Sequence, residues 1–183
     1  MSIEIVTLTT EAELIPFQEQ LRQVYYRAFS LPPHNESLAD AQHFVSRQIV
    51  HHSKNEHFRF CIARSQETGT LLGFIYGHTT KKGLWWHDQV APYLSEAQYQ
   101  QWFSNGYEIV TFGVDPAAQR QGIGGMLHDT ILYGLPHRTA ILSTQHENLP
   151  ARRFYQKRGW QIILHDFYFS GNPLPYVILG RAL

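Results

Sequence analysis

The chain has 183 residues, of which 43% are hydrophobic and 14% aromatic, which is enough for the core of one compact domain. Fifteen Lys and Arg residues balance fifteen Asp and Glu residues, so the zero net charge argues against nucleic acid or an anionic membrane as a partner. The single cysteine, Cys61, excludes an intramolecular disulfide. We see no pattern of a secretory signal and no apolar run near the ~20 residues of a membrane span. We therefore expect a cytoplasmic protein.

The N-terminal half predicts a strand, two helices and a β-hairpin. Thr10 and Glu13 have the spacing of a capping box, which opens a helix. That helix ends at Pro32 and Pro33, because proline lacks a backbone donor and biases its predecessor away from helical geometry. The other predicted elements are a strand at 3–8 with alternating apolar residues, a helix at 37–51, and the hairpin strands at 58–64 and 70–78.

The C-terminal half alternates strands and helices after an aromatic segment. Residues 81–106 are rich in Trp, Tyr and Phe and predict an ordered insertion with a short helix at 95–103. The elements that follow are a strand at 108–114, a glycine-rich loop, a helix at 122–133, a strand at 139–144, a helix at 149–157 and strands at 161–169 and 176–179. This order predicts an α/β fold with a mixed sheet, in a single domain over residues 1–183.

The glycine-rich loop, residues 119–125 (QRQGIGG), lies between a predicted strand and a predicted helix. Amides at a helix start have no intrahelical acceptor, and the helix dipole adds to their attraction for an anion. A dinucleotide fingerprint does not fit because Leu127 stands where its third glycine belongs, and the Gly-Lys-Ser/Thr of a P-loop is missing. The loop therefore predicts a phosphate site, or else a glycine turn that only starts a helix.

A second motif follows the next predicted strand. Residues 148–160 read NLPARRFYQKRGW, which is N-x-x-A-x-x-x-Y-x-x-x-G-aromatic, and the glycine loop before them reads Q-x-x-G-x-G. This order of motifs resembles the GNAT superfamily of N-acetyltransferases over about residues 107–165. The resemblance implies a GNAT-like acyl-CoA N-acyltransferase fold, a central mixed sheet flanked by about four helices. The insertion at 81–106, between the third and fourth strands, departs from the short turn of many members.

The resemblance implies acetyl-CoA as the co-substrate. In such proteins the pyrophosphate rests on the amides of the glycine loop, and the pantetheine arm pairs with the end of the preceding strand. Asn148 matches a position that often contacts the pantetheine arm, and by its own chemistry it is also a good helix N-cap before Pro150. The implied cofactor-binding residues are Phe112, Gly113, Val114, Gln119, Arg120, Gln121, Gly122, Ile123, Gly124, Gly125, Asn148 and Tyr155.

Two residues are implied for proton transfer. Tyr155 falls on the family position whose hydroxyl lies near the cofactor sulfur, and a phenol with a pKa near ~10 can protonate a departing thiolate. Glu108 matches a general-base glutamate of the histone-acetylating branch, and a carboxylate in a partly dry cleft has its pKa raised toward neutral pH. The alternatives are a core tyrosine, a solvated strand glutamate and a water chain as the base.

The acceptor is predicted to be a primary amine, with a small amine preferred over a protein. Its pocket is predicted to include Trp85, Trp86, His87, Tyr25 and Asn35. The eleven histidines include no H-x-x-x-H or H-x-H pair that would supply two ligands, so we expect no metal. The main rival is a non-catalytic acyl-CoA-binding sensor or interaction module with the same fold, and exposed tryptophans leave a homodimer open.

Overall fold

A computed structural model describes residues 2–183, and its strands form one mixed sheet. The strands are β1 (Ile3–Leu8), β2 (Arg59–Ser65), β3 (Leu71–Thr79), β4 (Gly106–Val114), β5 (Thr139–Gln145), β6 (Gln161–Phe167) and β7 (Tyr176–Ala182). The α-helices are α1 (Glu11–Leu14), α2 (Gln18–Phe29), α3 (Leu38–His43), α4 (Ile49–His52), α5 (Trp85–Val90), α6 (Glu96–Trp102), α7 (Ile123–Leu132) and α8 (Leu149–Gln156). The strand order is β1-β2-β3-β4-β5-β7-β6, with β4 and β5 parallel. The predicted α/β fold with a mixed sheet is confirmed.

The chain divides into two compact units, which are described separately. The first contains the residues up to His78 together with Val110–Tyr133. The second contains Thr79–Ile109 together with Gly134–Leu183. Strand β4 contributes residues to both.

In the first unit, the predicted helices form with interruptions. The Thr10 hydroxyl accepts from Glu13 N and the Glu13 carboxylate accepts from Thr10 N, which confirms the capping box. A 3-10 turn at Ile15–Phe17 separates α1 from α2, and a π-helical segment at Phe44–Gln48 separates α3 from α4. The apolar faces of these helices pack on β2 and β3 in one cluster, which includes Leu14, Leu21, Val24, Phe44, Phe60, Ile62, Phe74 and Tyr76.

Helix α7 is fixed in this unit through its C-terminal end. The Arg59 guanidinium donates from Nη1 to Ile131 O at 2.9 Å and to Tyr133 O at 2.7 Å. These carbonyls have no partner within the helix, so the arginine supplies the missing donors. The buried side chains of Ile123 and Leu127 hold the other turns of α7 in place.

The second unit contains the insertion, which forms two helices where one was predicted. The Ser95 hydroxyl accepts from Gln98 N and caps α6, so the predicted helix is confirmed. Helix α5 begins after Leu84 without a side-chain cap, which explains why no sequence signal announced it. The core of this unit consists of Trp86, Val90, Trp102, Phe103, Ile141, Ile163, Phe167, Phe169 and Ile178.

The insertion is joined tightly to the sheet of the second unit. The Thr139 hydroxyl donates to Trp102 O at 2.7 Å. A Cβ atom at Gly180 on β7 would lie 2.5 Å from Trp102 Cε3, so this position needs glycine for the close approach of the indole. None of the helices within residues 2–183 has the length and apolar character needed to cross a membrane.

Candidate active site

The segment between β4 and α7 begins with a turn that Asp115 holds. The Oδ1 atom of Asp115 accepts from Ala117 N at 3.0 Å, and the Asp115 backbone N–H donates to Leu72 O at 2.8 Å. The side-chain amide of Gln119 donates to Val114 O at 3.2 Å. The start of the loop is therefore fixed to the strand from which it leaves.

The remainder of the loop uses left-handed backbone geometry. Arg120 has φ 61° and Gly122 has φ 82°. A backbone bond runs from Met126 N to Gly122 O at 3.1 Å, so the amides of the three residues between them have no acceptor inside the helix. The first turn of α7 carries no acidic residue. Residues 119–125 thus have the backbone chemistry of an anion site.

Phe112, Gly113 and Val114 form the end of β4, directly before this loop. A Cβ atom at Gly113 would lie 3.0 Å from Phe29 Cε2 and 3.3 Å from Ala28 Cβ. The close approach of α2 therefore explains this glycine by packing. The pairing of these three residues with a pantetheine arm stays a prediction.

Glu108 lies on β4 in register with Ile141 of β5, and it is 4% exposed. Its Oε2 atom has no hydrogen-bond partner among residues 2–183. Burial raises the pKa of the Glu108 carboxyl from 4.5 to about 8, because removal from water disfavours the charged form. A buried carboxyl of this kind is a candidate for proton transfer.

The insertion covers the face of the sheet on which Glu108 lies. Gly106 and Glu108 are two residues apart on β4 and therefore point to the same face. A Cβ atom at Gly106 would lie 2.7 Å from Trp102 O and 3.3 Å from Ile141 Cδ1. Ile141 itself packs in the cluster that contains Trp86. The insertion thus packs on this face of the sheet beside Glu108, whose burial raises the pKa of its carboxyl.

Polar contacts fix α5 in that position. Trp86 donates from Nε1 to Ser143 Oγ on β5 at 3.1 Å. His87 is buried, and its ring nitrogens are hydrogen-bonded to Asp88 Oδ1 at 2.9 Å and to Tyr99 Oη at 3.2 Å. Trp86 and His87 therefore pack within the second unit, and their contact with an acceptor stays a prediction.

Of the three insertion residues predicted to line the acceptor pocket, Trp85 is the exposed one. It is 62% exposed, and its ring stacks on Phe169 with 5.3 Å between centroids. The loop that carries Phe169 is joined to α5 by a second contact, from Ser170 N to Gln89 Oε1 at 3.1 Å. Trp85 therefore sits on a fixed surface rather than on a free loop.

Helix α8 presents Tyr155 and begins at Asn148. The Asn148 Oδ1 atom accepts from Ala151 N at 3.3 Å, which confirms the predicted N-cap. Arg152 donates from Nη1 to His146 O at 2.9 Å and holds the residues before the helix. Contact between Asn148 and a cofactor stays a prediction.

Tyr155 is a buried phenol in an aromatic setting. Its ring meets those of Phe154 and Trp160 edge to face, with centroids 5.4 Å and 5.3 Å away. Burial raises the pKa of Tyr155 above its ordinary value. The hydroxyl therefore keeps its proton at neutral pH and remains a possible donor.

Tyr25 and Asn35 lie in the first unit. The Tyr25 ring stacks on Phe44 with 4.3 Å between centroids. Burial and the nearby Glu36 carboxylate raise the pKa of Tyr25. Asn35 follows the end of α2 with φ 56°. Their contact with an acceptor stays a prediction.

The structure groups the predicted residues by unit. Glu108, Asn148, Tyr155 and the three insertion residues belong to the second unit. The first unit contains residues 119–125, here called the anion loop, together with the end of β4, Tyr25 and Asn35. Within residues 2–183 no group of three His, Cys, Asp or Glu side chains is placed to hold a metal ion. Cys61 is buried, as expected of a small core residue.

Two side-chain contacts near the candidate site carry no sequence signal. Arg27 on α2 donates from Nε to Asp115 Oδ2 at 2.6 Å across 88 positions of sequence. Ser143 accepts from Trp86 across 57 positions. Neither residue belongs to a local pattern, so nothing in the sequence pointed to these pairs.

The fold and these residues define a class. A mixed sheet in which one strand leads through a glycine-rich loop into a helix agrees with the fold that the two motifs of this chain imply. The sequence pattern of the acetyltransferase (GNAT) family matches residues 18–160. The chain therefore belongs to the acetyltransferase (GNAT) family, and the resemblance recognised in its motifs is confirmed.

Similar proteins agree with this assignment. A GCN5-like protein acetyltransferase of Mycobacterium tuberculosis is 30% identical over 121 residues, which are 62% of this chain and 59% of that protein. The PaiA N-acetyltransferase of Thermoplasma acidophilum, solved with coenzyme A, has a TM-score of 0.65 at 18% identity and covers 100% of both chains. The ribosomal-protein-S18-alanine N-acetyltransferase of Escherichia coli has a TM-score of 0.64 at 15% identity, covering 99% of this chain and 94% of that one. The two structures show likeness of fold.

Proposed function

We propose that this chain is an N-acetyltransferase that moves the acetyl group of acetyl-CoA to a primary amine by direct attack in a ternary complex. The observation that carries the proposal is the buried Glu108 carboxyl, whose Oε2 atom has no hydrogen-bond partner within residues 2–183 and whose pKa is raised to about 8. A base with such a pKa accepts a proton near neutral pH and releases it again. The family assignment supports acetyl transfer. We further propose that residues 1–183 act as a single domain with an ordered insertion at 81–106.

The co-substrate acetyl-CoA supplies a reactive thioester. The loop residues 119–125 bind its pyrophosphate through their backbone amides, with Arg120 adding a positive charge. The backbone of residues 112–114 pairs with the pantetheine arm, and Asn148 contacts the same arm while it caps α8. The coenzyme A in the Thermoplasma acidophilum neighbour supports this choice of co-substrate.

Glu108 removes the proton that blocks the amine. An alkylammonium has a pKa of about 10.4, so most of it carries no free electron pair at neutral pH. The raised pKa of Glu108 brings the pKa of the carboxyl closer to that of the ammonium. Proton transfer to Oε2 is therefore less unfavourable than transfer to an ordinary carboxylate.

Tyr155 protonates the departing thiolate. The new C–N bond forms as the C–S bond breaks, and the sulfur takes the phenolic proton. The nitrogen must lose a second proton to become an amide, and that proton restores the phenol. The net reaction therefore releases one proton, which leaves through Glu108.

The acceptor is proposed to be a small, partly apolar amine, with an amine of a protein as the second candidate. The exposed Trp85 ring, stacked on Phe169, supports an apolar acceptor. The protein acetyltransferase of Mycobacterium tuberculosis favours the second candidate. Trp86, His87, Tyr25 and Asn35 act as supports of the pocket, and a non-catalytic acyl-CoA-binding module remains the rival function.

The test is release of CoA thiol from acetyl-CoA with small amines, amino sugars, lysine peptides and N-terminal peptides. Tyr155→Phe should lower turnover at saturating substrates about 100-fold while CoA binding is unchanged. Tyr168→Phe is the matched control, because that phenol is exposed in the same unit. If no amine in the panel leads to thiol release although CoA binds tightly, the binding module is favoured. Unchanged turnover in Tyr155→Phe would remove the acid role.

A further inference from the structure

The carboxylate of Asp115 stands at the entrance of the anion loop, and α2 supplies a guanidinium to it. We propose that Arg27 is a positioning residue for co-substrate binding, which neutralises Asp115 and holds it so that the loop accepts the pyrophosphate. The inference rests on the proposed function, since it concerns the loop that binds acetyl-CoA there.

One carboxyl group joins three parts of the first unit. Its Oδ2 atom accepts from Arg27 Nε at 2.6 Å, and its Oδ1 atom accepts from Ala117 N at 3.0 Å. The backbone of the same residue donates to Leu72 O on β3. The Asp115 side chain is 13% exposed and that of Arg27 43%, so the pair is partly shielded from solvent. A short charge-assisted bond in such a setting is stronger than one between neutral groups.

The loop needs such support because of its backbone. Arg120, which is not a glycine, has φ 61° two residues before Gly122. Left-handed geometry is disfavoured for a residue with a Cβ atom and persists only where the surroundings impose it. Asp115 fixes one end of the loop through the turn at Ala117. Arg27 in turn prevents Asp115 from rotating toward solvent.

The position of α2 makes the arrangement rigid. A Cβ atom at Gly113 would lie 3.0 Å from Phe29 Cε2, which shows how closely the end of α2 approaches the end of β4. Helix α2 therefore contacts this segment at two nearby residues, through Phe29 at Gly113 and through Arg27 at Asp115. The apolar contact sets the distance and the ion pair sets the orientation of the carboxylate.

Charge gives a second reason for the pair. A carboxylate beside a pyrophosphate site repels the ligand. The first turn of α7, residues 123–126, contains no basic residue, and Arg120 is assigned to the ligand itself. Arg27 cancels that charge before the ligand arrives. Its loss should therefore weaken ligands that carry the pyrophosphate, and removal of the Asp115 charge should restore part of the affinity.

The experiment measures the dissociation constants of CoA and of ADP, which carries the pyrophosphate without the pantetheine arm. Arg27→Ala should raise both about tenfold, which is about 1.4 kcal/mol. Asp115→Asn keeps the acceptor for Ala117 and removes the charge, so its effect should be smaller. The double variant Arg27→Ala with Asp115→Asn should bind more tightly than Arg27→Ala alone.

The matched control is Arg22→Ala on the same helix, where Arg22 makes a pair of the same length with exposed Glu19. It should leave both dissociation constants unchanged. The proposal is overturned if Arg27→Ala binds CoA like the wild type, or if the double variant recovers nothing. If Arg27→Ala does not fold, Arg27→Gln, which removes the charge and keeps a hydrogen-bond donor, takes its place, and CoA binding equal to that of the wild type then overturns the proposal. Tight CoA binding by a wild type that acetylates no amine would overturn the proposed catalysis alone.

Discussion

Replacing Glu108 by glutamine should make the protein more stable at alkaline pH while it removes the proposed base. The folded state holds this carboxyl in a dry setting that raises its pKa to about 8 from an ordinary 4.5. Below pH 4.5 both the folded and the unfolded states are protonated. As pH rises, the unfolded state loses the proton first, so the wild type loses stability until the pH passes about 8.

The size of this loss follows from the two pKa values. Each pH unit between them costs at most about 1.4 kcal/mol, and the whole interval corresponds to an upper limit of about 5 kcal/mol. Domains have unfolding free energies of about 5–15 kcal/mol, so ionisation of this carboxyl would remove a large part of the unfolding free energy. Glutamine has nearly the same shape and no titrating group, and the difference between the two proteins should therefore grow with pH.

Urea unfolding of wild type and Glu108→Gln at about pH 5 and about pH 8 measures this difference. Glu11→Gln serves as a control, because it changes an exposed carboxyl on α1. The buried glutamine adds an offset that is the same at every pH, so the change with pH is the informative quantity. A difference in unfolding free energy that stays constant from pH 5 to pH 8 would refute the burial of an ionisable Glu108.

Further expectations concern activity and packing. The kcat/KM for the amine should rise with pH toward about 8 and then level off, because Glu108 accepts a proton only when ionised. In Glu108→Gln the kcat/KM should be lower and should keep rising above about pH 8, because this variant uses only amine that has already lost its proton, with a pKa of about 10.4. Asn148→Ala should lower the unfolding free energy by about 1 kcal/mol through loss of the cap to Ala151, measured by urea titration. Gly180→Ala should cost about 1–3 kcal/mol by forcing a Cβ atom against Trp102, and a melting temperature equal to that of the wild type would contradict the close packing.

Local sequence signals predicted the elements that carry caps. The predicted capping box at Thr10 and the predicted N-cap at Asn148 form, and Ser95 caps the helix predicted at 95–103. Helix α5 was missed because Leu84, which precedes it, offers no side-chain cap. Its helical state depends instead on burial of Trp86 and Val90 against the rest of the second unit, which is information that a local pattern does not contain.

The candidate site was predictable where backbone conformation decides it. The glycine loop and the N-cap follow from residue types at fixed spacing, and both are present. The Arg27–Asp115 pair was not predictable, because no periodicity links residues 88 positions apart. The same holds for the burial of Glu108, whose position on β4 was correct but whose dryness depends on which helices cover the strand.

The insertion connects these findings. Its aromatic cluster packs on Ile141, and Glu108 lies in register with that residue on the neighbouring strand. Water excluded from this face raises the pKa of the carboxyl toward the pH at which it can exchange a proton with an amine. The same exclusion destabilises the fold whenever the carboxyl is ionised. The loss of stability at alkaline pH and the raised pKa of Glu108 therefore have one physical origin. A variant that lets water reach the carboxyl should gain unfolding free energy at alkaline pH, and the pKa of Glu108 should fall toward its ordinary value.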